Sequence, residues 1–332
     1  MAAEDLLLKW VTPDETAAEF LARQFREAVS TGLPFLDKHV KLRPGHLLEI
    51  IGPAGTEKTE ILTEIAANIM TKAAAATAAA AAAGGQTEEQ EHVVVIDCDG
   101  KFDTLRLLQL VTGRLPPSAV ATQSLQQLGT ALERFHLFRC FSSMELLLVL
   151  NSLSSYLAQL QGRCRLLLVD NISAFVWHDR AAAASSSGSH NLTSSAAAAP
   201  PYTPGFQGPV AAAAAAAGLS AQRVQAAAAA LLTELSQVWR LPVVVSKQAG
   251  VSLEERHDGP PRLVQRELMT LPWQNAVTHR LLLALVMMPG QALQQLAAKG
   301  PAATELMMQW QAQGNTAPIE RCAVTANATI SC

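Results

Sequence analysis

The chain is poor in the residues that mark several protein classes. Aromatic residues make up 5% of its 332 positions, with two tyrosines. Charged residues make up 16%, and the formal net charge of -3 gives no overall basic footprint of the kind a lone nucleic-acid-binding domain carries. Any such contact is expected to be local or supplied by partners. The five cysteines, Cys98, Cys140, Cys164, Cys322 and Cys332, include no C-x-x-C pair. That argues against structural zinc or a disulfide framework and for reduced thiols inside a cell. There is no basic N-terminal segment followed by an apolar one, and no run of about 18 non-alanine apolar residues to span a bilayer. The expectation is a soluble protein that is not secreted and meets no membrane.

What is present is uneven. The 49% hydrophobic fraction is inflated by alanine at 73–83, 196–199, 211–217 and 226–230. Less chain is therefore available for a core, and one domain is expected. It comprises an N-terminal helical segment, 1–30, and a core, 31–332, interrupted by low-complexity insertions at 73–91 and 181–230. The first insertion reads as an exposed loop or helix extension, the second as largely disordered.

The most specific motif is Gly52-Pro53-Ala54-Gly55-Thr56-Glu57-Lys58-Thr59, which matches G-x-x-x-x-G-K-[ST] except that Glu57 replaces the second glycine. In such a loop backbone N–H groups face phosphate oxygens. Lys58 would reach the outer phosphates and the Thr59 hydroxyl would help hold Mg²⁺. The context fits, because the apolar run His46–Ile51 reads as a buried strand entering the loop. After it Ile61, Leu62, Ile65, Ala66 and Ile69 recur at helical spacing.

Further apolar runs predict strands at 92–97, 135–141, 165–170 and 241–246, alternating with helices at 102–115, 143–161 and 231–239. Ser142 and Glu145 form a capping-box pattern before the second of these helices, and Thr12-Pro13-Asp14-Glu15 opens an N-terminal helix bearing Phe20 and Phe25. The alternation predicts an α/β fold with a doubly wound, mostly parallel sheet. Strand candidates at 280–288, 304–310 and 319–324 predict an antiparallel C-terminal extension.

Asp170, ending a buried strand, fits a Walker B acid beside the P-loop threonine, so Thr59 and Asp170 form the candidate metal site. Asp97 and Asp99 lie at the edge where ligands collect in open parallel sheets, and either could orient an attacking water. Gln248 could sense a phosphate, and Lys247 could contact an anion nearby. No arrangement of cysteine or histidine suits nucleophilic chemistry. A small-molecule P-loop kinase is disfavoured by the lack of an arginine-rich lid.

With these positions placed, the chain resembles the RecA-type recombinase superfamily and, within it, the eukaryotic recombinase paralogues of homologous-recombination repair. The likeness rests on 49–62, 96–108, 135–157 and 166–180, covers most of 30–180, and is weaker at 231–248 and 272–288. It implies a RecA-like P-loop ATPase core without the N-terminal helical DNA-binding domain of full-length recombinases. It also implies ATP and Mg²⁺ as cofactors and membership of a nuclear complex acting at DNA double-strand breaks. The D-type paralogue would be the direct partner, the B and C types would be reached through it, and single-stranded DNA would be met via the complex. By the same resemblance Lys58 and Thr59 are the Walker A pair, Asp170 the Walker B acid, and Asp99 stands where active recombinases keep a catalytic glutamate. Asp99 is one methylene short and Glu57 adds a carboxylate and a Cβ to the loop, so hydrolysis is expected to be weak at most. The competing expectation is an active DNA-dependent ATPase of the RecA type.

Overall fold

In the computed structural model, the residues described are 28–82, 91–115, 121–161, 163–187, 220–256, 259–285, 304–312, 315–324 and 330–331. The expected helix opening at Thr12, with Phe20 and Phe25, lies outside them.

Strands β1 (Leu47–Gly52), β2 (His92–Asp97), β3 (Phe135–Arg139), β4 (Cys164–Asp170) and β5 (Val243–Gln248) pair in the order β1-β5-β4-β2-β3, all parallel. A sheet of this kind must be covered on both faces, and β1 and β2 are accordingly buried at every position. One face packs on α1 (Pro34–Asp37), α2 (Lys58–Ala82), α3 (Thr104–Arg114) and α4 (Ala121–Leu132), through residues such as Leu36, Ile65, Leu107 and Ala131. The other face packs on α5 (Ser143–Gln159), α6 (Val176–Ser187), α7 (Ala221–Val238) and α8 (Leu271–Ala276), through Leu150, Val176, Leu232 and Trp273.

Local signals account for several helix starts. Asp103 caps α3 by accepting from Leu105 N–H, and Ser142 caps α5 by accepting from Glu145 N–H. The reciprocal arm of the expected capping box lands one residue early, since Glu145 Oε2 accepts from Phe141 N–H at 2.7 Å. Alanine, the best helix former, carries α2 to Ala82 and with Ser220 as N-cap starts α7 at Ala221. The expectation of disorder across 181–230 therefore fails at both ends, because α6 runs to Ser187 and α7 occupies 221–230. Residues 188–219 lie outside the described set.

A second correction concerns β8 (His279–Leu285). It was expected in an antiparallel extension, yet it lies parallel to β1, with Ile50 opposite Leu281. The short helix α8 precedes it, and this crossover returns the chain in the same direction as β1. Only beyond β8 does the sheet turn antiparallel, through β9 (Thr304–Ala312), β10 (Asn315–Thr316), β11 (Glu320–Val324) and β12 (Ile330–Ser331). A separate hairpin of β6 (Val251–Arg256) and β7 (Gly259–Gln265) and the helix α4 have no counterpart in the sequence reading.

Cys98, Cys140 and Cys164 are buried, and Cys98 and Cys140 are free, as reduced thiols should be. Cys322 departs from that expectation, being buried and disulfide-bonded. Among the described residues no helix is long and apolar enough to cross a membrane.

Candidate nucleotide site

The P-loop runs from the end of β1 into α2, at the edge formed by the C-terminal ends of the parallel strands. Gly52 is required by close approach, because a Cβ there would lie 2.4 Å from Thr56 Oγ1 and 3.0 Å from the Leu283 carbonyl oxygen. Gly55 sits in the left-handed region at φ 79°, and so does Glu57 at φ 56°. Left-handed backbone is strained for a residue with a Cβ, so the turn has kept the shape that suits glycine while the sequence supplies glutamate. Burial, with Glu60 beside it, pushes the Glu57 carboxyl above its ordinary pKa, although Lys58 pulls it down.

Lys58 folds back over the loop. Its Nζ donates to the Pro53 carbonyl oxygen at 2.6 Å and to Thr56 Oγ1 at 3.2 Å. Burial lowers its pKa to about 8, against the opposing pull of Asp170, Asp99 and Glu57. The other half of the site is better matched to a metal-bound phosphate. Thr59 Oγ1 donates to Asp170 Oδ2 at 2.7 Å, bringing together two residues far apart in sequence, as the metal-site reading required. Ser246 on β5 donates to the second oxygen, Asp170 Oδ1. Burial raises the Asp170 pKa, and the two hydroxyl donors oppose that rise.

The two aspartates after β2 are separated by the structure. Asp97 ends the strand, fully buried, and its Oδ1 accepts from Gly100 N–H at 2.8 Å, so it closes the turn. Asp97 Oδ2 has no hydrogen-bond partner. Asp99 instead faces a cleft of about 240 Å³ with Lys101, Asn171, Ser173, Trp177 and Gln248 among its lining. Lys101 Nζ donates to Asp99 Oδ2 at 2.8 Å, while Asp99 Oδ1 is buried without a partner. The hydrogen bond to Asp99 raises the Lys101 pKa. Gln248 reaches this cleft from the tip of β5, and its backbone N–H donates to Asn171 Oδ1 and Ser173 Oγ.

Lys247 is not at the cleft. It is fully buried inside β5, with Nζ 2.9 Å from Glu49 Oε1 and 3.1 Å from Glu267 Oε1. Glu49 also accepts from Trp273 Nε1 at 2.7 Å and from Arg280 Nε at 3.1 Å. The expectation that Lys247 contacts an anionic ligand gives way to a structural role, since a buried ammonium must be paired within the protein. Lys101, Ser246, Asn171, Ser173 and Trp177 were not singled out from sequence. Lys101, Asn171 and Ser246 each had a local cue, lying within two residues of Asp99, Asp170 and Gln248.

Taken together, Thr59 and Asp170 suit a magnesium ion with its phosphate. Glu57 does not fit, because its carboxylate and its left-handed backbone stand where the loop turns into α2. The loop thus departs from the motif at Glu57 and matches it at Thr59, which meets Asp170.

A P-loop between a central parallel strand and a helix, an acid two strands away bonded to the P-loop threonine, and an antiparallel extension of the sheet define a RecA-like α/β core. The chain is similar to RAD51-family paralogues, XRCC2 among them. It is 35% identical to DNA repair protein XRCC2 of Mus musculus over 171 residues, 51% of this chain and 55% of that one. It is 27% identical to the DNA repair protein XRCC2 homolog of Arabidopsis thaliana over 206 residues, 53% of each chain. To DNA repair protein RAD51 homolog 4 of Mus musculus it is 29% identical over 154 residues, 45% of this chain and 40% of that one. The chain thus spans about half the length of the relatives it matches. No family model matches it.

Proposed function

We propose that the chain works in DNA repair by homologous recombination, as a subunit of a recombinase-paralogue complex whose own nucleotide site is degenerate. Support for the repair role comes from relatives whose names describe DNA repair proteins, two of them XRCC2 or its homolog and one RAD51 homolog 4. The direct partner in this reading is the D-type recombinase paralogue, with the B and C types reached through it. The complex works in the nucleus and meets single-stranded DNA as an assembly. The single observation that carries the degenerate site is Glu57 at φ 56° in the P-loop, where the motif asks for glycine. A subunit of this kind contributes surfaces rather than turnover, and its P-loop persists because β1 and α2 are central to the core.

The hydrogen bond from Thr59 to Asp170 favours a second reading, an active DNA-dependent ATPase of the RecA type, since it assembles the metal half of a working site. ATP and Mg²⁺ are the cofactors in that case, with Asp99 and Gln248 as the cleft residues nearest the chemistry. Equilibrium binding of a fluorescent ATP analogue with Mg²⁺ separates the two. It is run on the purified chain and on Glu57→Gly, each alone and with the D-type paralogue. The degenerate-site reading expects no measurable wild-type binding, intact partner association, and affinity gained in Glu57→Gly. Tight wild-type binding that Glu57→Gly leaves unchanged would establish the second reading instead.

A further inference from the structure

We infer that Cys98 and Cys140 form a redox-active dithiol that closes to an intramolecular disulfide. The inference is independent of the nucleotide site's competence. Asp97 ends β2 and Arg139 ends β3, and the two are register partners in a parallel pair. One residue further along, Cys98 and Cys140 stand side by side, and the ladder continues to this point because Cys140 N–H donates to the Asp97 carbonyl oxygen at 2.9 Å. Paired positions in a parallel ladder direct their side chains to the same face, and neighbouring strands run about 4.8 Å apart. That spacing lies within the Cα separation of about 4.4 to 6.8 Å over which disulfides form.

The side chains behave accordingly. Both belong to the cluster under α5 with Leu146 and Leu150, and both are free thiols. Cys164 is also buried, but it begins β4, at the opposite end of the sheet. Seven strand residues separate the two ends, about 20 Å of rise, so Cys164 cannot reach the pair. The pair lies at the rim of the sheet with Cys98 3% and Cys140 1% exposed, so only a small oxidant can reach it.

Hydrogen peroxide supplies the reaction. One thiol sulfur attacks a peroxide oxygen, the O–O bond breaks, and the products are a sulfenic acid and water. The second thiol sulfur then attacks the sulfenic sulfur. The S–O bond breaks, the S–S bond forms, and a second water leaves with the remaining thiol proton. Two thiols and one peroxide thus become one disulfide and two waters. The crosslink ties edge strand β3 to β2 immediately before Asp99, so the cleft-lining aspartate sits next to the redox centre.

The test treats the full chain with hydrogen peroxide, traps remaining thiols with N-ethylmaleimide, and maps the peptides by mass spectrometry. The expected product is a Cys98–Cys140 crosslink reversed by dithiothreitol, retained in Cys164→Ser and lost in Cys98→Ser and Cys140→Ser. Alkylated Cys98 and Cys140 under conditions that oxidise Cys164, or crosslinks that join either to another cysteine or another chain, would overturn the inference. A measurement on the unmutated chain guards against misfolded variants. Phenylarsine oxide, which bridges two adjacent thiols with loss of water, should protect Cys98 and Cys140 from alkylation together at one arsenical per chain. Independent labelling of the two would overturn the inference equally.

Discussion

The strain at Glu57 makes a quantitative prediction for folding stability that needs no nucleotide. Left-handed backbone costs a residue with a Cβ about 1–2 kcal/mol, and glycine avoids that cost. Glycine in turn widens the unfolded ensemble, which offsets about 0.4–1 kcal/mol of the gain. Glu57 lies at φ 56°, and among the described residues its side chain makes no hydrogen bond or ion pair that glycine would forfeit. Glu57→Gly should therefore stabilise the chain by about 0.5–1 kcal/mol, a rise of roughly 1–4 °C in Tm for a core of this size. Glu57→Ala is the control, because it removes the carboxylate but keeps the Cβ at the same φ, and it should change stability by less than about 0.5 kcal/mol. Glu57→Gln separates the charge. The folded-state pKa of Glu57 is raised, so the folded chain holds the proton more tightly and wild-type stability falls as pH rises upward from the ordinary glutamate range. That limb should vanish in Glu57→Gln. Urea unfolding of the four chains across pH 4 to 8 provides the readout. If Glu57→Gly were no more stable than wild type, or if Glu57→Ala matched it, the backbone would not be the source of the strain and the reasoning would be refuted.

Two further outcomes are expected. The Lys58 pKa is lowered to about 8 by burial, so below pH 8 the fold bears the penalty of a half-hidden ammonium, and between pH 8 and the ordinary lysine value that penalty is relieved. Wild-type stability relative to Lys58→Met should then climb by about 2–3 kcal/mol from pH 8 to 10.5 in urea titrations, and a flat difference would contradict the burial. Lys247→Met leaves Glu49 and Glu267 without their shared ammonium and should destabilise by about 3 kcal/mol, a loss read from the urea midpoint. A change within about 0.5 kcal/mol would mean that Arg280 and Trp273 alone satisfy Glu49.

Much of the fold was legible because parallel strands announce themselves. Residues 93–96 and 166–169 are unbroken apolar runs, each followed by an acid, and the sheet places both acids at one edge. The contact between Thr59 and Asp170 followed from their motifs, since each motif has one place in such a fold. The direction of β8 did not follow, because it depends on α8, a helix of six residues too short to show a period. The hairpin β6–β7 was hidden by its exposure, as Ser252, Glu254 and Glu255 face solvent and leave no apolar run to read. Lys247 was misread for a related reason. A lysine after an apolar run looks like a loop residue, and its counterions Glu49 and Glu267 become neighbours only after folding. The division of labour between Asp97 and Asp99 likewise needed the turn at Gly100, which a two-residue spacing does not reveal.

The ion-paired centre of the sheet bears on how the chain finds its fold. Strands made of valine, leucine and isoleucine offer little to distinguish one alignment from the next, so an apolar sheet alone tolerates slippage. Here Glu49 stands opposite Arg280 on one neighbouring strand and diagonally from Lys247 on the other. Sliding either neighbour by one residue would swing its cation to the far face and strip Glu49 of one of its two ion pairs, a penalty of several kcal/mol when the displaced charge stays buried. The three charges thus act as a proofreading device for strand alignment, rejecting near-miss sheets during assembly and fixing the position of the loop that follows β1.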